Sequence, residues 1–202
     1  ADAAVLLGTQ MIAKGLDFDE VTLVGVINAD TMLHLPDFRS SERTFDLIEQ
    51  VAGRSGRAHL AGKVIVQTYS ASDTAIQSAA HYDRERFLKE ELKLRQEMEY
   101  PPFVRLANVL IWGRDEQAIK SLGNEFFSDI RKEVEKRGCK GWTIFPPTAC
   151  VLSRLKGVWR YHLLIKAPVK DDVSSVLAPL FRARKSIEGV QVSLDIDPIS
   201  LL

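Results

Sequence analysis

The segment Gln50-Val51-Ala52-Gly53-Arg54-Ser55-Gly56-Arg57 is the stretch of the chain that says most about its fold. A helical pattern leads into it, and on a continued helix Gln50, Arg54 and Arg57 lie on one face. Guanidinium groups present donor forks that suit phosphate oxygens. Gly53 and Gly56 leave room for another surface to approach closely. The segment therefore predicts a phosphate contact, with an ordinary helix that ends at Gly56 and carries solvated arginines as the alternative.

Short apolar runs alternate with helical patterns in the first third of the chain. The runs cover residues 3–9, 21–28 and 62–69, and their continuous apolarity is typical of strands buried on both faces of a parallel sheet. Helical patterns lie between them, near 10–15 and over 40–56. This β-α-β-α-β order predicts an α/β layer fold. Because the first run opens the sequence, we expect the chain to begin inside a larger protein.

A charged segment separates this part from a second domain. Residues 73–99 predict one connecting helix that ends before Pro101-Pro102, since the residue before a proline avoids helical dihedral angles. Strand and helix patterns then alternate over 103–112, 118–134, 149–155, 158–166, 171–186 and 190–196. Pro179 lies within the helix pattern 171–186 and predicts that this helix kinks or begins late. The order β-α-β-β-α-β predicts a ferredoxin-like α+β domain, so the predicted domains are 1–72, 73–100 and 101–202.

Composition limits what the chain can bind and where it works. Its 27 Lys and Arg balance its 27 Asp and Glu, so nucleic-acid binding has to come from a local patch. No apolar run approaches the roughly 20 residues that cross a bilayer, which predicts a cytoplasmic protein. Cys139 and Cys150 have no zinc-binding spacing. We expect them to be reduced thiols, with a disulfide as the alternative.

One local patch stands out in the second domain. Between Gly141 and Lys170 there is no acidic residue, whereas Arg154, Lys156 and Arg160 are basic. Strand alternation puts Trp159 and Tyr161 on one face, and Arg160, His162 and Lys166 on the other. The simplest interpretation buries the aromatic face as core and leaves the basic face in solvent. The functional interpretation makes Arg154, Lys156 and Arg160 contacts for DNA phosphates, or for an acidic peptide.

A second motif, Gly8-Thr9-Gln10-Met11-Ile12-Ala13-Lys14-Gly15-Leu16-Asp17-Phe18, follows the first predicted strand. Open α/β sheets bind ligands beyond the carboxyl ends of their strands. Thr9 and Gln10 can offer hydrogen bonds to a phosphate backbone. Gly15 permits close approach, and Asp17 can accept from a ribose hydroxyl. Taken alone, the segment is better explained as a plain loop, since Gly-Thr after a strand is common.

Together the two segments resemble motifs V and VI of the second RecA-like lobe of superfamily 2 helicases. The intervening Pro36-Asp37-Phe38-Arg39-Ser40-Ser41-Glu42-Arg43, with Asp30, narrows the resemblance to the primosomal protein N′ family of replication-restart helicases. Lys156–Tyr161 and Asp195–Pro198 are similar to that family's C-terminal domain. The resemblance covers essentially the whole chain, most strongly residues 8–69.

The resemblance implies an ATP-dependent 3′-to-5′ DNA helicase that restarts replication forks and assembles primosomes in the bacterial cytoplasm, associated with the nucleoid. It implies that the catalytic residues are Arg57, Arg54 and Gln50, which place an arginine finger at the γ-phosphate of ATP. The ATP-binding residues it implies are Gly15, Asp17 and Gly53. The DNA-binding residues it implies, besides those of the basic patch, are Thr9, Gln10, Lys14 and Arg39.

Parts of the family pattern are not in this sequence. There is no GxxxxGK[ST] loop, no Asp-Glu-x-His motif and no zinc-binding cysteine cluster. The resemblance therefore implies that ATP and Mg²⁺ are held mainly upstream, that Zn²⁺ belongs only to the full-length protein, and that the fragment alone does not hydrolyse ATP.

The implied partners are forked and single-stranded DNA, single-stranded-DNA-binding protein and other primosome proteins. A monomer that does not bind membranes is expected. Val158 and His162 stand where the family's peptide-binding site has a basic and an amide residue. Two alternatives are another superfamily 2 repair helicase or translocase, and a non-catalytic nucleic-acid-binding protein.

Overall fold

The structure is a computed structural model that describes residues 4–9, 21–53, 62–184 and 186–201. The chain divides into two compact units. The first unit consists of Ala1–Leu35 and Arg39–Lys93, and the second of Pro36–Phe38 and Leu94–Leu202. The short segment Pro36–Phe38 therefore belongs to the second unit, although its neighbours in sequence belong to the first.

The first unit combines a parallel strand pair with helices. Its elements are β1 (Leu23–Val26), α1 (Asp30–Leu33), α2 (Ser40–Ala52), β2 (Lys63–Val66), α3 (Thr74–Ala80) and the first residues of α4 (Arg84–Glu97). Apolar residues three and four apart give α2 a buried face that includes Phe45, Ile48 and Ala52. The ring of Phe45 stacks on that of Phe87 with centroids 4.3 Å apart, and this stack is the centre of the unit's core.

Two predictions for this unit are wrong. Residues 4–9, the described part of the predicted strand 3–9, form no strand, and Val5 and Leu7 are exposed. In the described ranges the parallel sheet has two strands, and Leu23 and Ile65 are exposed. Apolar composition raises strand propensity, but burial on both faces needs neighbouring strands and helices. The predicted helix near 10–15 and the last residues of the predicted helix 40–56 lie outside the described residues.

The single connecting helix predicted over 73–99 is also wrong, because α3 and α4 are separate helices. The chain turns between them at Tyr82, whose φ of 54° lies in the left-handed region. The carboxylate of Asp83 then accepts a hydrogen bond from the backbone N–H of Arg86 at 3.0 Å. Such a cap satisfies an orphan donor of the first helical turn, so α4 starts anew after Asp83.

The second unit contains an antiparallel sheet with helices on one face. Its elements are β3 (Val104–Gly113), α5 (Glu116–Lys136), β4 (Thr143–Ile144), β5 (Thr148–Leu155), β6 (Val158–Pro168), α6 (Val173–Arg182) and β7 (Val190–Ile196). The sheet order is β4-β6-β3-β7, and β5 also pairs with β6. The predicted order β-α-β-β-α-β is confirmed, with the two-residue β4 as an addition.

Local capping residues explain where the two helices that pack on this sheet begin and end. The Asp115 carboxylate caps α5 by accepting from the N–H groups of Gln117 and Ala118, and Gly138 at φ 65° follows its end. Asp172 caps α6 in the same way through Ser175. α6 begins at Val173 and contains Pro179 in its interior, so the predicted possibility that this helix begins late enough to avoid the proline is wrong. Both helices cover the sheet face that carries the buried residues Val109, Ile111, Leu163 and Ile165.

Hydrogen bonds and ring stacking hold the segment Pro36–Phe38 within the second unit. The buried carboxylate of Asp37 accepts hydrogen bonds from Ser200 Oγ at 2.7 Å and from the N–H of Leu201 at 3.0 Å. The ring of Phe38 stacks on Tyr100 with centroids 5.4 Å apart and an 8° interplanar angle. The first three residues of the family-like stretch 36–43 thus serve as a structural part of the C-terminal unit.

Replacing Asp37 with alanine should destabilise the second unit by about 1–3 kcal/mol, because two donors lose their buried acceptor. Urea unfolding of the 202-residue chain, followed by circular dichroism, measures the change. The control is Glu188→Ala, an exposed site, which should change the free energy of unfolding by less than about 0.5 kcal/mol. Equal stability of the Asp37 and Glu188 variants would contradict the proposed fastening.

Candidate nucleic-acid interface

The basic patch predicted from the sequence forms a tight hairpin between β5 and β6. Its two-residue turn consists of Lys156 and Gly157 at φ 50° and 80°, values that suit the twist of paired strands. Arg154 lies opposite Trp159, and its guanidinium carbon is 5.0 Å from that ring's centroid. Arg154 and Lys156 are exposed. Two of the three predicted phosphate contacts are therefore accessible side by side on one hairpin.

The aromatic residues of β6 belong to the core side of the sheet. Trp159 and Tyr161 are partly buried against the helix-side cluster. The hydroxyl of Tyr161 donates to Glu116 Oε1 at 2.8 Å. Hydrogen bonds from Lys120 and Tyr161 lower the pKa of Glu116, so this carboxylate is an acceptor at neutral pH. The interpretation of Trp159 and Tyr161 as core residues is confirmed.

The other face of β6 is not simply solvated, as the simplest interpretation expected. Lys166 is only 8% exposed. Its Nζ donates to the Met98 carbonyl at 2.7 Å and lies 4.2 Å from the Tyr100 ring centroid. Burial lowers the pKa of Lys166, while Glu99 opposes that shift. The segment from Met98 to Tyr100 covers Lys166, which sequence alternation alone could not reveal, so this cation is not a DNA contact.

Within the described residues of the second unit, no helix packs on the rest of that face, and we call it the open sheet face. In one row of the register Trp112 lies between Arg160 and Gln191; in the next, Leu110 lies between His162 and Ser193. The third row is made of Asn108, Leu164 and Asp195. The β3 and β6 members of these rows are half-buried, and the β7 members are exposed.

Trp112 and Asn108 were missed by the sequence analysis. The signal that identifies them is the alternation along residues 103–112, which puts them on the face opposite Ile111 and Val109. His162 Nδ1 and Asn108 Oδ1 are shielded and have no hydrogen-bond partner in the described part of the chain. Burial, with a smaller effect of Arg160, lowers the pKa of His162. The imidazole is therefore neutral at pH 7, with one donor and one acceptor nitrogen.

The predicted residues of the first unit are only partly described. Gln50 is half-buried near the end of α2, and Gly53 follows that helix as an exposed cap. Arg39 precedes α2 and is paired with Glu42, to which its Nε donates at 3.2 Å. Thr9 is exposed. Six predicted residues lie outside the described ranges: Gln10, Lys14, Gly15, Asp17, Arg54 and Arg57.

The described residues fit no metal ion. Within them, no group of three or more His, Cys, Asp and Glu side chains could hold one. Cys139 and Cys150 are free thiols, and burial raises the pKa of Cys150. None of the helices in the described ranges is both long and apolar enough to cross a membrane.

A shallow cavity of about 530 Å³ lies on the helix side of the second unit. Its lining includes Lys140, Trp142 and Lys170, but also Asp171 and Asp172. Both acids have structural tasks, since Asp171 accepts from Trp142 Nε1 at 2.7 Å and Asp172 caps α6. The mixed charge makes this cavity a poorer site for phosphates than the hairpin and the open sheet face.

Known proteins resemble both parts of the chain. The primosomal protein N C-terminal domain family matches residues 96–199. A protein named "Replication restart protein PriA" from Bacillus subtilis is 41% identical over 204 residues, covering 99% of this chain and 25% of that protein. Proteins of the same name from Treponema pallidum and Chlamydia pneumoniae are 38% and 36% identical, covering 98% of this chain and 30% and 26% of theirs. The chain thus spans between a quarter and a third of these relatives' length. Residues 96–199 coincide with most of the second unit, and the chain belongs to the primosomal protein N C-terminal domain family.

Proposed function

We propose that this chain is the C-terminal part of an ATP-dependent superfamily 2 DNA helicase that acts in replication restart. The observation that carries the proposal is the 41% identity to a replication restart protein over 99% of this chain. That similarity runs through the Gln50–Arg57 segment as well as the second unit. It favours replication restart over another repair helicase or translocase. Because the relatives are three to four times longer, the activity is proposed for a longer protein.

The first unit contributes to ATP hydrolysis as part of a RecA-like lobe. The parallel pair β1–β2 and the helix α2 between them support that assignment. Gln50 on α2, with Arg54 and Arg57 beyond it, supplies polar and cationic groups. Phosphoryl transfer spreads negative charge over the γ-phosphate oxygens, and a guanidinium fork offsets that charge. In the longer protein, ATP and Mg²⁺ are held mainly by residues that this chain does not include, and Zn²⁺ is bound only by such residues.

The second unit contributes to DNA binding. Arg154 and Lys156 on the β5–β6 hairpin are exposed cations with no acidic residue between 141 and 170. Phosphate contacts of this kind fix position on DNA without reading sequence. Forked and single-stranded DNA are the proposed substrates, and single-stranded-DNA-binding protein and other primosome proteins are the proposed partners. A cytoplasmic, nucleoid-associated monomer fits these roles.

Arg57→Ala in the full-length protein should lower DNA-stimulated ATP turnover by about three orders of magnitude or more, the range for an arginine finger. ATP affinity should change much less, because Arg57 acts on charge that develops during the transfer. Steady-state ATP hydrolysis with and without forked DNA, together with nucleotide binding, provides the measurement. Arg86→Ala, an exposed arginine on α4, is the matched control and should retain full turnover.

Normal ATP turnover in the Arg57 variant would show that this residue is a solvated arginine without a role in hydrolysis. Absence of DNA-stimulated hydrolysis in the wild-type full-length protein would favour the non-catalytic alternative and overturn the proposed function.

Removing the hairpin cations should weaken DNA binding in a salt-dependent way. For the 202-residue chain carrying Arg154→Ala and Lys156→Ala, the slope of log affinity against log salt should fall by about 1.4, since each phosphate contact with single strands contributes about 0.7. Titration of a fluorescent single-stranded oligonucleotide at several salt concentrations measures it. The control replaces Lys132 and Lys136, exposed lysines of α5, and should leave the slope unchanged. An unchanged slope in the hairpin variant places the phosphate contacts elsewhere.

A further inference from the structure

We propose that the open sheet face is a platform for unpaired DNA bases, with Trp112 as its stacking surface. This inference rests on the proposed function, because it takes DNA as the ligand of the second unit. It goes further by assigning the bases to one face of the sheet and the site to single strands. The juxtaposition that carries it is Trp112 between Arg160 and Gln191, beside two polar side-chain atoms that have no partner in the described structure.

The platform lies on the two central strands of the sheet. β6 and β3 are neighbours in the order β4-β6-β3-β7, and α5 and α6 pack on the opposite face. Trp112 and Arg160 are direct cross-strand partners, so an indole and a guanidinium, both planar, lie next to each other. Aromatic rings and guanidinium planes are the groups on which proteins stack unpaired bases.

The spacing of the rows suits a single strand better than a duplex. Residues two apart on one strand, such as Arg160 and His162, are separated by roughly 7 Å. Bases stacked in a duplex rise by only about 3.4 Å along each strand. Bases that contact successive rows must therefore be unstacked from each other, which a single strand permits and a duplex does not.

Hydrogen bonding on the face is incomplete without a ligand. His162 Nδ1 and Asn108 Oδ1 are shielded atoms that have no partner in the described ranges. They lie in successive rows, and Leu110 is directly opposite His162. A change of the imidazole or amide rotamer would present these atoms to the edge of a base stacked beside them. Neutral His162 can donate or accept, which suits contacts that tolerate different bases.

The positions of the charged side chains indicate how a DNA strand lies on the open sheet face. Arg160 belongs to the row nearest the hairpin turn. Lys156 lies in that turn, and Arg154 next to it contacts Trp159 on the helix side of the sheet. The one carboxylate among the nine residues of the face is Asp195, in the row farthest from the turn and on β7. We therefore assign the phosphates to the hairpin side and the bases to Trp112 and its neighbours. The far end of the sheet is closed, since Met98 and Tyr100 contact Lys166.

Tryptophan fluorescence tests the platform without disrupting it. The chain has three tryptophans, and Trp142 and Trp159 pack on the helix-side cluster. The variant Trp142→Phe/Trp159→Phe keeps only Trp112, and a short oligothymidylate should quench its emission strongly. The matched variant Trp112→Phe/Trp142→Phe keeps only Trp159, and the same oligonucleotide should quench it far less. Stronger quenching of Trp159 than of Trp112 would overturn the proposal.

Affinity provides the second readout. Trp112→Leu in the 202-residue chain should weaken oligothymidylate binding about tenfold, the effect of losing one stacked base, whereas Trp112→Phe should retain most of the affinity. Tyr69→Leu, a 96% exposed aromatic of the first unit, is the control and should bind like wild type. Circular dichroism confirms that each variant is folded. A duplex of the same sequence should compete poorly.

Three further outcomes would contradict the platform, and each would leave a different explanation. Wild-type affinity in the folded Trp112→Leu variant, or equal competition by the duplex, overturns the platform and leaves DNA as the ligand of the hairpin. Quenching of Trp112 by an acidic peptide but not by DNA assigns the face to a protein partner instead. Absence of DNA binding to the wild-type chain overturns both the platform and the proposed DNA role of the second unit. ATP hydrolysis by the full-length protein tests the rest of the proposed function separately.

Discussion

The antiparallel pairing of β3 with β6 is the constraint on which the second unit depends. Its ten residue pairs run without interruption from Val104 opposite Pro168 to Gly113 opposite Trp159. A slip of one residue would turn every core side chain toward the other face. Fully burying a large aliphatic side chain contributes about 1.5–3 kcal/mol, whereas an exposed ion pair contributes at most about 1 kcal/mol. Burial of Val109, Ile111, Leu163 and Ile165 therefore fixes the register, and this register leaves Trp112, Arg160 and His162 on the open sheet face.

The contacts of buried Lys166 determine how much of the open sheet face is covered by the chain itself. The ammonium of Lys166 would be costly to bury alone, but the Met98 carbonyl and the electron-rich face of Tyr100 compensate for its lost hydration. Tyr100 also stacks on Phe38, next to the carboxylate of Asp37 that Ser200 and Leu201 hold. These contacts close the Lys166 end of the sheet and leave the Trp112 end accessible.

The sequence predicted the second unit well because its patterns are local. The alternation along 158–166 predicts a strand and the four-residue repeat along 118–134 predicts a helix. Both elements formed within two residues of the predicted bounds. Two failures depend on contacts distant in sequence. Nothing near Lys166 indicates that Met98 covers it, and nothing near Asp37 indicates a hydrogen bond to residue 200. Two other failures are local: the break at Tyr82 depends on the cap at Asp83, and residues 4–9 are apolar but form no strand. In the candidate site, Arg154 and Lys156 followed from charge alone. Alternation along 103–112 gives the face of Trp112, but only the β3–β6 register places it beside Arg160.

In our proposal the two faces of this sheet have different tasks, one as core and one as a surface for unpaired bases. Backbone amide chemical shifts of the ¹⁵N-labelled 202-residue chain, recorded during titration with a short single-stranded oligonucleotide, distinguish the two faces residue by residue. We expect the largest changes in residues 108–112, 160–164 and 191–193, with further changes at the hairpin turn 154–157. Changes confined to α5, α6 and the Trp142 cavity, with the open sheet face unaffected, would contradict it.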